Sequence, residues 1–134
     1  MEKDSKKYMA VFAPHLAIKD VKAAVDFYQI AFGAIILRTW DNGNGGLHVA
    51  EMAIDGAMFH LHEEAQHNNQ LSPESVKAVT SLIGIFVADP HQVAQVAVKA
   101  GARLLSPVQD YDYGYRQGTV VDPFGHQWLI QKKI

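Results

Sequence analysis

Apolar positions along this chain alternate between strand-like runs and helix-like spacing. Residues 9–18 predict an apolar strand, and Asp20 then precedes apolar residues at helical spacing up to Gly33. An Asp-Gly pair at Asp55 and Gly56 is typical of a tight hairpin turn. Further strands are predicted over residues 34–40, 47–54 and 57–62. The first half of the chain therefore has the order β-α-β-β-β.

The same order returns after a polar stretch, residues 63–75. Residues 81–87 predict a strand, Asp89 and Pro90 predict a helix start, and Gly101 predicts its end. Strand-like segments follow as RLLSPV, TVV and HQWLIQK, with a DPFG turn before the last of them. The second half therefore repeats the order of the first.

The two halves align with a single one-residue gap. Asp20 falls on Asp89 and Gly56 falls on Gly125, each pair 69 residues apart. This repeat predicts an α+β fold of two tandem βαβββ modules that form a curved mixed β-sheet, a half-barrel with a central cleft. We expect an N-terminal tail at residues 1–8 and a single domain at 9–134, with module one at 9–63, a connector at 64–80 and module two at 81–132.

Composition excludes several classes of function. The chain has 134 residues, 49% of them hydrophobic, and a formal net charge of -2 with scattered Lys and Arg, so neither nucleic acid nor a membrane is an expected partner. No cysteine is present, which excludes disulfides and thiolate chemistry. No run approaches the ~20 apolar residues of a membrane helix. We expect a cytoplasmic location.

Two segments carry a resemblance to a known family. HLAIKDVKAAVDFYQIAFGA and YGYRQGTVVDPFGHQWLI, with the paired module order, resemble the vicinal oxygen chelate (VOC) superfamily, and within it the PhnB-like glyoxalase and bleomycin-resistance type, over residues 9–132. Metal-dependent members hold a divalent ion with four His, Gln or Glu side chains, one from the first and one from the last strand of each module. The resemblance places these four positions at Ala13, His60, Leu82 and Leu129.

Three of these four positions carry side chains that cannot bind a metal ion. The first interpretation is therefore a small-molecule-binding protein without the standard metal site and without a cofactor. The DPFG turn is then architectural, and Trp128 and Ile130 after it are expected to pack under the second helix. We expect His126 to support the turn.

An alternative keeps a divalent metal. His15 shares a strand face with Ala13, and His60 shares one with His62, so these histidines together with Glu51 could form a rearranged metal site. Such a protein would be a glyoxalase-like lyase or isomerase, or a dioxygenase. The sequence leaves both interpretations open, so whether this chain is an enzyme is open too.

The expected cleft takes residues from both modules. Tyrosine rings beside an arginine suit a small organic ligand that is partly aromatic or anionic. Trp40 and Phe59 are expected in the core. The resemblance also implies a homodimer. The predicted cleft residues are His15, His60, Leu82, Tyr113, Arg116 and Leu129.

Overall fold

A computed structural model describes residues 9–134; the predicted tail, residues 1–8, lies outside the described residues. Module one contains four strands and one helix. They are β1 (His15–Ile18), α1 (Val21–Phe32), β2 (Ile35–Asp41), β3 (Leu47–Ile54) and β4 (Ala57–Glu63).

Module two repeats this order after a connector that holds a short 3-10 helix and one helical turn. Among the described residues, no helix is long and apolar enough to cross a membrane. The remaining elements are the 3-10 helix Gln66–Asn68, α2 (Pro73–Val76), β5 (Leu82–Phe86), α3 (Pro90–Ala100), β6 (Arg103–Tyr111), β7 (Tyr115–Val121) and β8 (Gln127–Lys133).

Each module forms one four-stranded mixed sheet. The strand orders are β1-β4-β3-β2 and β5-β8-β7-β6. In each sheet the first and last strands of the module run parallel, and the other neighbours run antiparallel. The predicted α+β class and the two βαβββ modules with their curved, unclosed sheets are confirmed.

The helix ends lie where the sequence predicts them. The Asp20 carboxylate accepts a hydrogen bond from the backbone N–H of Ala23 at 3.1 Å, which satisfies an otherwise free donor at the start of α1. Gly33 ends this helix in the left-handed region, with a φ of 65°. Asp89 starts α3 in the same way by accepting from the N–H of Gln92. Matching caps place both helices equivalently in the two modules.

Strand β1 is shorter than predicted. The expected strand began at residue 9, but pairing with β4 begins at His15. Pro14 has no N–H to donate to a neighbouring strand, although its carbonyl oxygen accepts a hydrogen bond from the N–H of His60 at 2.8 Å. Residues 9–13, here called the N-terminal arm, therefore precede the sheet and belong to no strand.

The helix-facing sides of the two sheets meet in one core. Phe59 on β4 and Trp128 on β8 are both buried, and their ring centroids lie 5.8 Å apart. Tyr28 and Phe32 of α1 also contact the Trp128 ring, at 5.5 and 4.7 Å. Because the inner faces meet, the other face of each sheet, here called its open face, points away from the core. The two open faces thus lie on opposite sides of the chain.

A buried carboxylate joins the modules. Asp122, in the turn before β8, accepts hydrogen bonds from the Tyr28 hydroxyl at 2.5 Å and from the Trp128 indole N–H at 2.9 Å. The backbone N–H groups of Phe124 and His126 donate to its second oxygen. Asp122 therefore connects α1 of module one to the DPFG turn of module two. Nearby, His126 Nε2 lies 2.9 Å from the Ala17 carbonyl oxygen and forms a second connection.

Alkaline pH should weaken this connection. Burial raises the pKa of the Tyr28 hydroxyl well above its ordinary value, and the adjacent Asp122 charge raises it further. The protonated Tyr28 hydroxyl contributes its full stabilisation of the folded chain below its unfolded-state pKa of about 10. This contribution is lost as pH rises toward the folded-state pKa. Urea unfolding at about pH 8 and about pH 10.5 should show a smaller alkaline loss for Tyr28→Phe than for the unmodified chain. An identical loss in Tyr28→Phe would contradict this assignment, and Tyr113→Phe, at an exposed tyrosine, is the control.

Candidate ligand-binding faces

A row of four polar side chains crosses the open face of sheet one. The strand register places His15 beside His60, His60 beside Glu51, and Glu51 beside Arg38. The His15 and His60 rings stack with centroids 4.2 Å apart, and His60 Nε2 lies 3.6 Å from Glu51 Oε2. The row runs through all four strands and presents an imidazole pair, a carboxylate and a guanidinium on one surface.

Trp40 and His62 lie one step further along the same face. The Arg38 guanidinium lies 4.5 Å from the centroid of the Trp40 ring, a cation–π contact. Trp40 is only half-buried, although the sequence pattern placed it in the core, because its register partner Val49 also faces outward. Neither Arg38 nor the outward position of Trp40 was predicted from the sequence, since both depend on the register between β2 and β3.

A pocket borders this row at the edge of β1. It has a volume of about 390 Å³, within the range of ligand pockets, and lies between β1 and the connector. His15 and His62 line one side of it, and Leu71 and Ile83 line the other. A ligand that contacts the histidines of sheet one could therefore extend into this space.

The histidines and Glu51 of the alternative metal site share this face, but they do not fit a metal ion. The His15 and His60 ring planes are 15° apart and stacked, so their in-plane lone pairs run side by side instead of converging. An ion about 2.1 Å from a nitrogen of each ring would lie outside at least one ring plane. Within residues 9–134, no three His, Asp or Glu side chains are placed to hold a metal. Ala13, the first family position, lies in the N-terminal arm.

Sheet two presents a different open face. Leu82 and Leu129 both lie on it, and Leu82 is 52% exposed. The row equivalent to the polar row of sheet one contains no charged side chain. Its members are Gly84, Leu129, Thr119 and Ser106. The two modules have kept the same geometry, but module two offers apolar and hydroxyl groups where module one offers charges.

Four aromatic rings form a series on this face. Phe86 lies 6.1 Å from Tyr115, Tyr115 lies 5.9 Å from Tyr113, and Tyr113 stacks on Tyr111 at 5.2 Å. Phe86 is 57% exposed, and the Lys133 ammonium lies 5.8 Å from its ring centroid. We call these four rings the aromatic row. They offer flat apolar surface with hydroxyl groups to a molecule in solution.

Amide side chains lie beside the aromatic row. The Tyr113 hydroxyl donates to the Gln117 side-chain oxygen, and the Gln117 amide donates to the Gln131 side-chain oxygen at 3.1 Å. Gln131 is buried although it lies on the open side of β8. This chain of hydrogen bonds holds Tyr113 and fixes donors and acceptors next to the rings.

Arg116 lies on the opposite face of sheet two from the aromatic row. It alternates with Tyr115 and Gln117 on β7, so its side chain points to the helix side. There it donates two hydrogen bonds to the Asp110 carboxylate, at 2.7 and 3.1 Å. The pair raises the pKa of Arg116 and lowers the pKa of Asp110. This arginine is engaged in an ion pair on the helix side of sheet two, whereas Arg38 lies on the open face of sheet one.

The six predicted cleft residues are therefore divided by the fold. His15 and His60 lie together on the open face of sheet one. Leu82, Leu129 and Tyr113 lie on the open face of sheet two, across the core from the histidines. One chain does not bring these two groups together.

A comparison with models of protein families shows which family this chain belongs to. The model of the Glyoxalase/Bleomycin resistance protein/Dioxygenase superfamily matches residues 9–130. The chain belongs to this superfamily. The match covers both modules and confirms the resemblance to this superfamily.

Individual proteins are similar to this chain in sequence or in fold. An uncharacterized protein of Mycobacterium bovis is 31% identical over 125 residues, which cover 91% of this chain and 82% of that protein. The crystal structure of TioX from Micromonospora sp. ML1 has a TM-score of 0.71 at 22% identity and covers 93% of this chain and 97% of its own. A glyoxalase-related enzyme from Fulvimarina pelagi has a TM-score of 0.69 at 24% identity, with coverage of 93% and 88%.

Proposed function

We propose that this chain is a small-molecule-binding protein of the glyoxalase and bleomycin-resistance type that takes a planar, partly aromatic anion without a metal ion. The observation that carries the proposal is the aromatic row on the open face of sheet two, which also presents the exposed side chain of Leu82. Exposed apolar side chains clustered on one face are typical of interaction sites. Flat rings favour a flat ligand, because aromatic pairs gain energy beyond the area they bury.

Sheet one supplies the polar part of the proposed site. Arg38 can donate two hydrogen bonds to a carboxylate, and Trp40 beneath it offers a further ring surface. His15 and His60 add imidazole nitrogens that donate or accept according to their tautomer. An aromatic anion would therefore contact rings on one face and cationic or imidazole groups on the other.

Two copies of the chain are needed to enclose such a ligand. Because the open faces point to opposite sides of one chain, a two-sided cleft requires sheet one of one copy to face sheet two of a second copy. A twofold dimer would then contain two equivalent clefts. Leu82 and Leu129 would lie across each cleft from His15 and His60, as the predicted set requires.

The second candidate is the metal-dependent enzyme with a rearranged ligand set. It is favoured only by the common face of His15, Glu51, His60 and His62. A thermal-shift titration with Ni²⁺, Zn²⁺, Mn²⁺ and Fe²⁺ separates the candidates, because an ion that binds only the folded state must raise Tm. We expect these ions to raise the Tm of the unmodified chain no more than they raise the Tm of a His60→Ala variant. A rise that His60→Ala abolishes would replace the metal-free proposal with this candidate.

A further inference from the structure

The side-chain amide of Gln131 has a donor without an acceptor. Its oxygen accepts a hydrogen bond from the Gln117 amide, whose own oxygen accepts one from the Tyr113 hydroxyl. This order of donors and acceptors places the Gln131 amide nitrogen at the end of the chain of hydrogen bonds, and no group of residues 9–134 accepts from it. Gln131 is only 8% exposed. A nearly buried side chain with an open donor marks a place where a ligand can supply the acceptor.

The open donor lies over Gly84 on the neighbouring strand β5. A Cβ atom at Gly84 would be 2.9 Å from Gln131 Nε2, closer than a Cβ atom packs against another heavy atom. The φ angle of Gly84 is not positive, so the backbone does not require a glycine at this position. The close approach of the Gln131 amide does require one, because any larger residue would occupy its space.

The amide nitrogen also reaches the surface of sheet two. Among the described residues, no fully enclosed side-chain nitrogen or oxygen lacks a partner, so Gln131 Nε2 keeps access to the outside. The half-exposed side chains of Leu82 and Phe86 lie two residues before and after Gly84, on the same face of β5. Phe86 is the first ring of the aromatic row. A flat ligand that contacts Phe86 therefore has the Gln131 donor at its edge.

We propose that Gln131 donates a hydrogen bond to a carbonyl oxygen on the ring system of the ligand, and that Gly84 positions the amide for this contact. This inference rests on the proposed function, because the ligand is the one that stacks on the aromatic row. The preferred ligand is then a planar aromatic acid whose rings carry an oxo group. A site built around a donor disfavours a ligand without the acceptor, since the donor then loses its water without a replacement.

Two acids of similar size and shape test the proposal. Chromone-2-carboxylate and 2-naphthoate both place a carboxylate on two fused six-membered rings, but only the chromone has a ring carbonyl. Isothermal titration of the unmodified chain should give a dissociation constant about fivefold lower for the chromone. The ratio of the two constants is the readout, because a general loss of binding changes both constants alike.

Two variants remove the donor in different ways. Gln131→Met keeps the length of the side chain without its amide, and Gly84→Ala places a Cβ atom where the amide nitrogen lies, so the amide must move. Both should abolish the preference for the chromone. The matched control is Gln109→Met, in the same cross-strand row, because Gln109 is exposed and its amide already donates to the Tyr111 hydroxyl at 3.0 Å. This control should retain the preference.

The outcomes separate the role of Gln131 from the proposed function. Equal affinity for the two acids in the unmodified chain, or a preference that survives in Gln131→Met, would overturn the role of Gln131 and leave an aromatic-anion site standing. A preference that Gln109→Met also abolishes would overturn it too. Binding of neither acid would overturn both proposals.

NMR of an isotope-labelled chain observes the donor directly. The side-chain amide signals of Gln131 are those that disappear in Gln131→Met. We expect the chromone to shift these signals more than 2-naphthoate does, because only its carbonyl oxygen accepts from the amide. Equal shifts with both acids would contradict the contact, even if the affinities differed.

Discussion

Replacing Asp122 by alanine should reduce the free energy of unfolding by about 3–5 kcal/mol. The variant leaves the Tyr28 hydroxyl, the Trp128 indole N–H and two backbone N–H groups without their acceptor inside the core. Each buried donor without a partner costs about 1–3 kcal/mol, partly offset where water enters. Urea unfolding followed by circular dichroism measures the change.

Asp110→Ala is the matched control for this prediction. Asp110 is exposed and pairs with Arg116 on the surface, so its removal should destabilise the chain much less than the removal of Asp122. Tyr28→Phe removes one donor and keeps the ring, so its cost should lie between those of the two aspartate variants. If Asp122→Ala were no more destabilising than Asp110→Ala, the buried carboxylate would not be what joins the modules.

Arg38→Gln should weaken the binding of a flat aromatic anion by roughly tenfold or more. A suitable probe is 2-naphthoate, which carries a carboxylate on two fused rings. The guanidinium over Trp40 supplies the cation of the proposed site, whereas glutamine keeps part of the stem and loses the charge. Isothermal titration gives the dissociation constants, and tryptophan quenching that a Trp40→Phe variant loses locates the ligand at Trp40.

The chain supplies its own control in a second arginine. Arg116→Gln removes the same charge from the opposite face of sheet two, so the affinity for 2-naphthoate should not change. Cyclohexanecarboxylate, which has the charge without the flat rings, should bind more weakly than 2-naphthoate. Equal losses in both arginine variants would mean that the anion is attracted by net charge and not by the Arg38 face.

The sequence predicted the elements of this fold well because local signals mark them. Helices begin after Asp20 and Asp89 and end at Gly33, because these residues cap helices through local hydrogen bonds and backbone geometry. The tight turn at Asp55 and Gly56 forms because both residues favour its left-handed backbone. Strand β1 was predicted too long because apolar residues favour a strand even where no neighbour is present to pair with them.

The candidate site was less predictable because it depends on register and on packing between modules. Alternation along a strand shows that neighbours such as Tyr115 and Arg116 point to opposite faces of the sheet. It does not show which of the two faces points outward. Arg116 was therefore placed in the cleft, and Arg38 was missed. The contact of Phe59 with Trp128 joins the inner faces of the sheets, and no local pattern encodes it.

We propose above all that the open faces bind a small aromatic anion without a metal ion. The most direct test is the titration of 2-naphthoate into the unmodified chain, once after treatment with EDTA and once with added Ni²⁺ or Zn²⁺. We expect saturable binding with the same dissociation constant in all samples. Binding that appears only with metal, or no binding in any sample, would contradict it.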